Sequence, residues 1–272
     1  MADETNPTER RRWNDERWTS FWPRRERFTD TVTPSLLDAL ALEPGERVLD
    51  VGSGGGRTTV LAARTVGPQG AAVGADISGP LVELARQRAR DAALENVTFH
   101  VVDMQHDDVP DGPFDVALSQ FGVMFFDEPV TAFANIARHL RVGARLVFAC
   151  WQAPERNPWV VAVAIGRFLP VLPPPAVGKA PTGPFALSDA ERTTEILRAA
   201  GFTDVRHTPI DMTIDVPEVA IIDEDQLVSM GVAEADMPAA RDAIEELMAR
   251  FRVDEDVSRF PIAFQIFEAR AT

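Results

Sequence analysis

Apolar and polar positions along the chain follow two alternating patterns. Helical segments have apolar residues every three or four positions, as in 129–140, and they separate short runs that are rich in β-forming residues. Strands that alternate with helices predict βαβ units and a mainly parallel sheet. The predicted strands cover residues 48–51, 71–75, 96–102, 114–119, 145–151, 205–216 and 261–269. Right-handed crossovers then bring the carboxyl ends of the parallel strands to one edge, where open sheets bind ligands.

The residues before the first strand have a different pattern. Residues 1–12 are polar, and we expect them to be frayed. Aromatic residues at helical spacing predict a helix over Trp13–Phe28, with a break or restart at Pro23. We interpret residues 1–31 as an N-terminal helical lid, which either caps the core or covers a ligand.

Residues 32–272 form the main predicted domain. Proline residues crowd an apolar segment at about 152–187, which we interpret as a cap insertion beside the binding edge. After it, Ser188 and Glu191 have the spacing of a capping box, which predicts the start of a helix that Gly201 ends.

The first strand leads directly into a glycine-rich turn, Asp50-Val-Gly52-Ser53-Gly54-Gly-Gly56. Glycine permits positive φ and lets a ligand approach the backbone, and the following helix presents free N–H groups to the turn. A dinucleotide fingerprint, G-x-G-x-x-G, requires glycine where Arg57 stands. The turn therefore predicts a site for a nucleotide-like cofactor, and the alternative is a tight turn that binds nothing.

Polar residues follow the next strands at the same predicted edge. Asp76 ends the second strand and is placed to accept hydrogen bonds from ribose hydroxyls, a role that an NAD enzyme would also need. Asp103 ends the third strand, and Ser119 and Gln120 end the fourth.

With these positions, residues 43–152 resemble the class I S-adenosylmethionine (SAM) dependent methyltransferases of the ubiquinone/menaquinone-biosynthesis type. The segments that carry the resemblance are Val48–Gly56, Gly74–Ser78, Phe114–Phe126 and Leu140–Val147. The resemblance implies a Rossmann-like sheet of seven strands, mostly parallel with the last antiparallel, and helices on both faces. It also implies SAM as cofactor and S-adenosylhomocysteine (SAH) as product. Residues 141–144 depart from the usual Pro-Gly-Gly turn before the fifth strand.

The same resemblance implies roles for individual residues. Asp103 would accept from the adenine amino group, with Ile77 and Met104 near the two faces of the ring. The full set of predicted cofactor-binding residues is Asp50, Gly52, Ser53, Gly54, Asp76, Ile77, Asp103, Met104, Ser119 and, from the lid, Trp22.

A hydroxyl or carbon acceptor also needs a group that takes up a proton. The candidates near the predicted edge are His106, Gln120, Glu128 and, from the lid, Glu26, and none of them belongs to a recognisable motif. No cluster of His, Cys and carboxylates has the spacing of a metal site.

Composition narrows the class of protein. The 272 residues carry a formal net charge of −15, which argues against nucleic acid or an anionic membrane as a partner. No apolar run is long enough for a membrane span, and the polar N-terminus is not a signal peptide. A single cysteine, Cys150, is typical of a cytoplasmic protein. The oligomeric state stays open, with a homodimer among the possibilities.

These patterns together predict SAM-dependent O-, C- or N-methylation of a small apolar molecule. Aromatic residues in the lid, the apolar segment 159–187, and Phe121, Met124 and Phe125 would form an apolar acceptor pocket. The alternatives are a SAM- or SAH-binding protein or cyclase that does not methylate, and, less favoured, an NAD(P)-dependent oxidoreductase.

Overall fold

The computed structural model describes residues 6–158, 164–170, 179–217, 227–228, 230–254 and 257–272. Its seven strands form one sheet in the order β3-β2-β1-β4-β5-β7-β6. The strands are β1 Arg47–Val51, β2 Ala71–Asp76, β3 Val97–Val101, β4 Phe114–Gln120, β5 Leu140–Trp151, β6 Phe202–Pro217 and β7 Val257–Ala271. β7 is antiparallel to both of its neighbours, and the pairs from β3 to β5 are parallel. The predicted seven-stranded sheet with an antiparallel last strand is confirmed.

Eight α-helices accompany these strands within the described residues. They are α1 Pro7–Trp13, α2 Glu16–Thr29, α3 Thr33–Leu40, α4 Arg57–Val66, α5 Gly79–Asp91, α6 Pro129–Arg138, α7 Ala190–Ala199 and α8 Met237–Ala249. α4 and α5 follow β1 and β2 toward one end of the sheet, while α6 joins β4 to β5 in the opposite direction. Right-handed crossovers place these two sets of helices on opposite faces.

Strand β1 lies in the middle of the core. Val48, Leu49, Asp50 and Val51 are all buried, as a parallel strand covered on both faces requires. The chain proceeds from β1 to β2 on one side and from β4 to β5 on the other. The sheet therefore has its topological switch point between β1 and β4, the position at which such sheets bind ligands.

The N-terminal segment is more ordered than its polar sequence predicts. Helix α1 occupies Pro7–Trp13, so the expected fraying of residues 1–12 is wrong for the described part of that range. Proline starts α1 at a position where its missing N–H costs no helical hydrogen bond. Helix α2 continues through Pro23 without the expected break.

The start of α7 also differs from the prediction. The N-cap is Asp189, whose side chain accepts hydrogen bonds from the backbone N–H groups of Glu191 and Arg192. Ser188 lies one residue earlier, so the capping box predicted there is wrong. Aspartate is as strong an N-cap as serine, and the local pattern did not separate the two adjacent candidates.

Several other predictions fall partly outside the described residues. The proposed cap insertion at 152–187 includes residues 159–163 and 171–178, which are not described. The division into a lid at 1–31 and a domain at 32–272 stays a prediction. In the described part of the chain, no helix combines the length and apolar character needed to cross a membrane.

Candidate cofactor site

A chamber of about 760 Å³, including its open mouth, lies at the carboxyl edge of the sheet. Its floor is formed by the ends of β1, β2, β3 and β4, so it spans the switch point. Its roof is formed by α1 and α2.

The glycine turn gives the chamber its central wall. Gly52 has φ +70° and lies against the backbone of Gly122, so that a Cβ on Gly52 would be 2.7 Å from Gly122 Cα. Only glycine allows the ends of β1 and β4 to approach this closely. Gly52 therefore presents bare backbone to the chamber.

Asp76 fixes the shape of the turn. Its two carboxylate oxygens accept hydrogen bonds from the N–H groups of Gly54 and Ser78, each at 2.8 Å. Burial raises the pKa of Asp76, and these two hydrogen bonds oppose that effect. Each oxygen keeps a second lone pair, so Asp76 can still accept from ribose hydroxyls on the chamber side.

Asp50 acts from behind the chamber wall. It is fully buried, and its Oδ2 accepts hydrogen bonds from Thr58 and Thr59 at 2.6 and 2.7 Å, which ties β1 to the first turn of α4. Burial raises the pKa of Asp50 to about 6. Its Oδ1 has no hydrogen-bond partner among the described residues, and Asp50 itself does not line the chamber.

The end of the chamber beside β3 is lined mainly by apolar side chains and contains one carboxylate. Ile77, Val102 and Met104 contribute apolar surface, and Asp103 lies between them at the end of β3. Asp103 Oδ1 accepts from the backbone N–H of Gln105 at 3.1 Å, which fixes the turn after the strand. This arrangement can hold a flat ring between apolar walls with a carboxylate at its edge.

Trp22 of α2 covers the remaining part of the glycine turn. A Cβ on Gly54 would overlap the six-membered ring of Trp22, and one on Gly55 would lie 2.5 Å from its Nε1. The backbone of Gly54 and Gly55, which has no side chain there, is therefore in contact with the indole ring of Trp22. Among the predicted glycines of the turn, Gly52 is the one that faces the chamber.

Two ion pairs hold α2 against the turn. Glu26 and Arg88 form a fork with two contacts of 2.6 Å, and Arg88 also donates to the carbonyl of Gly55 at 2.7 Å. Arg57, which replaces the third glycine of a dinucleotide fingerprint, pairs with Asp30 at 2.6 Å. Arg57, whose presence argued against a dinucleotide site, thus helps to hold α2 over the chamber.

The junction between α1 and α2 is anchored as well. Asn14 donates to the carbonyl of Ile77 and accepts from the N–H of Gly79, while Ser78 Oγ donates to the carbonyl of Trp13 at 2.5 Å. These contacts join the N-terminal segment to the end of β2 and the start of α5.

The end of β4 supplies two of the predicted residues. Gln120 lines the chamber, and its side chain donates to the carbonyl of Thr29 at 3.1 Å and accepts from Thr33 at 2.9 Å. Ser119 lies below the surface and donates to the carbonyl of Val51 at 2.7 Å. Ser53 is likewise buried outside the chamber lining.

The other candidate proton acceptors lie outside the chamber. His106 Nε2 is 3.6 Å from Glu128 Oε2, and Glu128 also pairs with Lys179 at 2.8 Å. Glu26 is engaged by Arg88. The structure therefore brings together Gly52, Asp76, Ile77, Asp103, Met104, Gln120 and Trp22 around one space. It leaves His106 and Glu128 apart from them.

Sequence reasoning missed four chamber residues of the N-terminal segment, namely Asn6, Glu9, Arg25 and Thr29. Glu9 is the most unexpected, because it is a carboxylate with 1% exposure in a polar run. It accepts hydrogen bonds from Arg12, Trp13 and the distant Thr182. The spacing of Trp22, Arg25 and Thr29 on one helical face was the available signal for α2, while nothing local marks Glu9.

The chamber suits the three parts of SAM. The apolar end with Asp103 fits adenine, Asp76 fits the ribose, and the exposed backbone of Gly52 leaves room for the methionine part. In the described residues, no group of three or more His, Cys, Asp or Glu could hold a metal ion.

Comparisons with known proteins identify the family. A family model described as a methyltransferase domain matches residues 42–167. The chain is 31% identical over 204 residues to a nocamycin O-methyltransferase of Saccharothrix syringae, covering 70% of this chain and 71% of that protein. The chain belongs to the SAM-dependent methyltransferase family. Its cofactor is accordingly SAM, with SAH as product, and the family assignment favours the methyl donor over the nicotinamide alternative.

Two further similarities concern part of the sequence and the fold. It is 32% identical over 122 residues to a ubiquinone/menaquinone biosynthesis C-methyltransferase UbiE of Teredinibacter turnerae, covering 44% of this chain and 49% of the relative. The chain thus matches about half the length of that relative. The fold is similar to that of the YcgJ protein of Bacillus subtilis, with a TM-score of 0.59 and 17% identity, over 89% of this chain and 99% of that one.

Proposed function

We propose that this chain transfers the methyl group of SAM to an oxygen or carbon atom of a small, apolar organic molecule. The observation that carries the proposal is the single chamber that brings Gly52, Asp76 and Asp103 together at the switch point of the sheet. Relatives whose names specify O- and C-methylation support these two acceptor atoms.

The residues of the chamber act by positioning. The sulfonium of SAM carries an activated methyl group, so transfer requires an aligned acceptor and exclusion of water. Asp76 and Asp103 orient the adenosine part, and α1 and α2 close the chamber from above. Gln120 is held in one orientation by Thr29 and Thr33, which makes it suited to orient a polar group near the methyl position.

Aromatic residues favour an apolar acceptor. Phe121 and Phe125 line the chamber, and Phe121 stacks on Trp151 with centroids 4.1 Å apart. Phe28 also packs against Trp151. This aromatic group extends from the chamber toward β5. A cytoplasmic location remains part of the proposal, supported by the presence of one cysteine, Cys150, in the sequence.

Transfer of label from methyl-labelled SAM tests the proposal. A panel of small apolar molecules that carry hydroxyl, carboxyl, enol or carbon-acid groups serves as acceptors, and an organic extract is counted for labelled product. We expect label in at least one product, with SAH formed in equal amount. SAH binding without label transfer to any acceptor in a broad panel would favour a protein that binds SAM and does not methylate.

A further inference from the structure

The ionisation state of the acceptor decides whether methyl transfer to oxygen needs a proton acceptor from the enzyme. A phenol or an alcohol is neutral at pH 7 and has to give up its proton to a positioned group. Histidine, tyrosine, lysine and cysteine side chains can serve when their pKa lies near neutrality. The chain has four histidines, no tyrosine, one lysine and one cysteine. The positions of these six side chains therefore bear on the class of acceptor.

All six side chains lie outside the described lining of the chamber. They are His100, His106, His139, His207, Lys179 and Cys150. His139 Nε2 accepts a hydrogen bond from the backbone N–H of Val109 at 3.0 Å. A hydrogen bond to Glu128 raises the pKa of Lys179, and burial raises the pKa of Cys150 to about 12. His139 is therefore engaged elsewhere in the fold, and Lys179 and Cys150 hold their protons more tightly than usual.

The carboxylates of the chamber already accept hydrogen bonds. The charged side chains in its described lining are Glu9, Arg25, Asp76 and Asp103. Asp76 and Asp103 accept from backbone N–H groups of the turns that follow them. Glu9 accepts from Arg12, Trp13 and Thr182. Hydrogen bonds to a carboxylate favour its charged form, so these three acids are poor partners for the proton of a neutral acceptor.

Gln120 supplies a hydrogen-bond donor on the β4 side of the same chamber. The carbonyl of Thr29 can only accept, so the amide nitrogen of Gln120 faces it, and the amide oxygen faces the hydroxyl of Thr33. Among the described residues, this nitrogen uses one of its two N–H groups, and the second is left to donate. An N–H donor forms its stronger hydrogen bonds with charged oxygen. The β4 side of the chamber therefore suits an anionic oxygen.

The apolar lining suits a reaction that removes charge. Phe121 and Phe125 line the chamber together with Gln120. When an anionic oxygen attacks the methyl group of SAM, its electron pair forms the new C–O bond, and the electron pair of the broken C–S bond stays on sulfur. The negative charge of the acceptor and the positive charge of the sulfonium both disappear, and no proton is transferred. Apolar surroundings favour such neutral products over separate charges.

We propose that the acceptor is an organic acid whose oxygen is already ionised at neutral pH, a carboxylic acid or an acidic enol, and that Gln120 binds this oxyanion through its second side-chain N–H. The product is then a methyl ester or an enol ether. This inference rests on the proposed function, because it requires methyl transfer from SAM in the chamber.

Matched acceptors test the acceptor class with the wild-type protein and methyl-labelled SAM at pH 7. Naphthoic acid is compared with naphthol, and the acidic enol of a cyclic β-diketone with the corresponding alcohol. A general base contributes about 10²- to 10⁴-fold to such reactions. We therefore expect kcat/KM for the acid of a pair to exceed that for its neutral partner by at least about 100-fold. Equal or faster labelling of a phenol or an alcohol would overturn the proposal.

The pH profile of the wild type gives a second test that needs no variant. With a carboxylic acid as acceptor, kcat/KM should be flat from pH 6 to 9, because no protein group has to lose a proton first. Arg25, whose pKa burial lowers to about 10, keeps its charge over this range. A tenfold rise per pH unit below pH 7 would show that a protein group acts as base and would overturn the proposal.

Variants test the two residues on which the proposal and its rival depend. Gln120→Leu should raise the KM of the acid more than about tenfold and change SAH affinity less than about threefold. Gln87→Glu is a control for Gln120→Glu, which should raise this KM further, because Gln87 is exposed on α5. His106→Gln should leave the rate unchanged. An unchanged KM in Gln120→Leu, or a 100-fold loss of rate in His106→Gln, would overturn the proposal.

The two levels of inference fail in different ways. If SAH binds and no acceptor of the panel becomes labelled, the proposed function fails. If a phenol, an alcohol or a carbon acid that is neutral at pH 7 becomes labelled as fast as the acids, methyl transfer stands and only the ionised acceptor is refuted.

Discussion

Replacing Glu26 by glutamine tests whether α2 acts as a closing element over the cofactor. Glu26 and Arg88 form two contacts of 2.6 Å, and their side chains are only 15% and 27% exposed. Exposed ion pairs contribute about 0.2–1 kcal/mol, and charge-assisted hydrogen bonds that are mostly covered contribute about 1.5–3 kcal/mol. For this intermediate exposure, we expect a coupling of about 1–2 kcal/mol between the two residues.

If α2 must move before the cofactor leaves, this coupling acts on the dissociation rate. A loss of 1–2 kcal/mol corresponds to a roughly 5- to 30-fold faster release of SAH. Stopped-flow tryptophan fluorescence can follow release, because Trp22 lies on the glycine turn beside the chamber. A double-mutant cycle with Glu26→Gln and Arg88→Gln isolates the pair from the other contacts of each residue.

Asp215→Asn is a matched control. Asp215 forms a similar fork with Arg259, at 2.6 and 2.8 Å, on the β6–β7 pair. We expect this variant to leave SAH release unchanged. If Glu26→Gln lowers the melting temperature and leaves the release rate unchanged, α2 is a fixed wall, and the interpretation as a lid is refuted.

Three further predictions concern residues in the chamber wall or directly behind it. Asp76→Ala should weaken SAH binding by about 1–3 kcal/mol, measured by calorimetry, and unchanged affinity would show that the ribose lies elsewhere. Gly52→Ala should destabilise the fold by about 1–3 kcal/mol in urea unfolding because its Cβ would meet Gly122, whereas the control Gly45→Ala, also at positive φ but in open space, should cost less. The shift in the pKa of Asp50 from 3.8 to about 6 corresponds to about 3 kcal/mol.

The sign of the Asp50 effect follows from burial of the charged form. Between pH 4 and 6 the folded state binds more protons than the unfolded state, so the wild type loses stability as the pH rises through this window. Asp50→Asn removes that loss, and its stability relative to the wild type should rise by up to about 3 kcal/mol from pH 4 to 7. Urea unfolding at several pH values measures the difference, and a flat difference would contradict the assigned pKa.

Local sequence patterns predicted the part of the site that lies on the sheet. β1, the glycine turn and the acids at positions 76 and 103 are consecutive in βαβ units, and the fold brings the ends of parallel strands together. The strand register then places Asp50 beside Gly74, and Asp76 beside Val101. Neighbouring strand ends therefore meet at one edge without any long-range information.

The roof could not be predicted in the same way. Glu9 is buried because Thr182, 173 positions away, and Arg12 satisfy its oxygens. A carboxylate in a polar run has no local signal of such burial. Arg57 was interpreted only as a missing glycine, although the structure pairs it with Asp30 to hold α2. Contacts between distant segments decide these positions.

Titration calorimetry of the wild type with SAH and with NAD tests the central claim most directly. We predict saturable binding of one SAH per chain and no detectable binding of NAD at the same concentrations. The chamber that joins Gly52, Asp76 and Asp103 would then hold the product of methyl transfer. Binding of NAD without binding of SAH would contradict the assignment of this chamber to SAM.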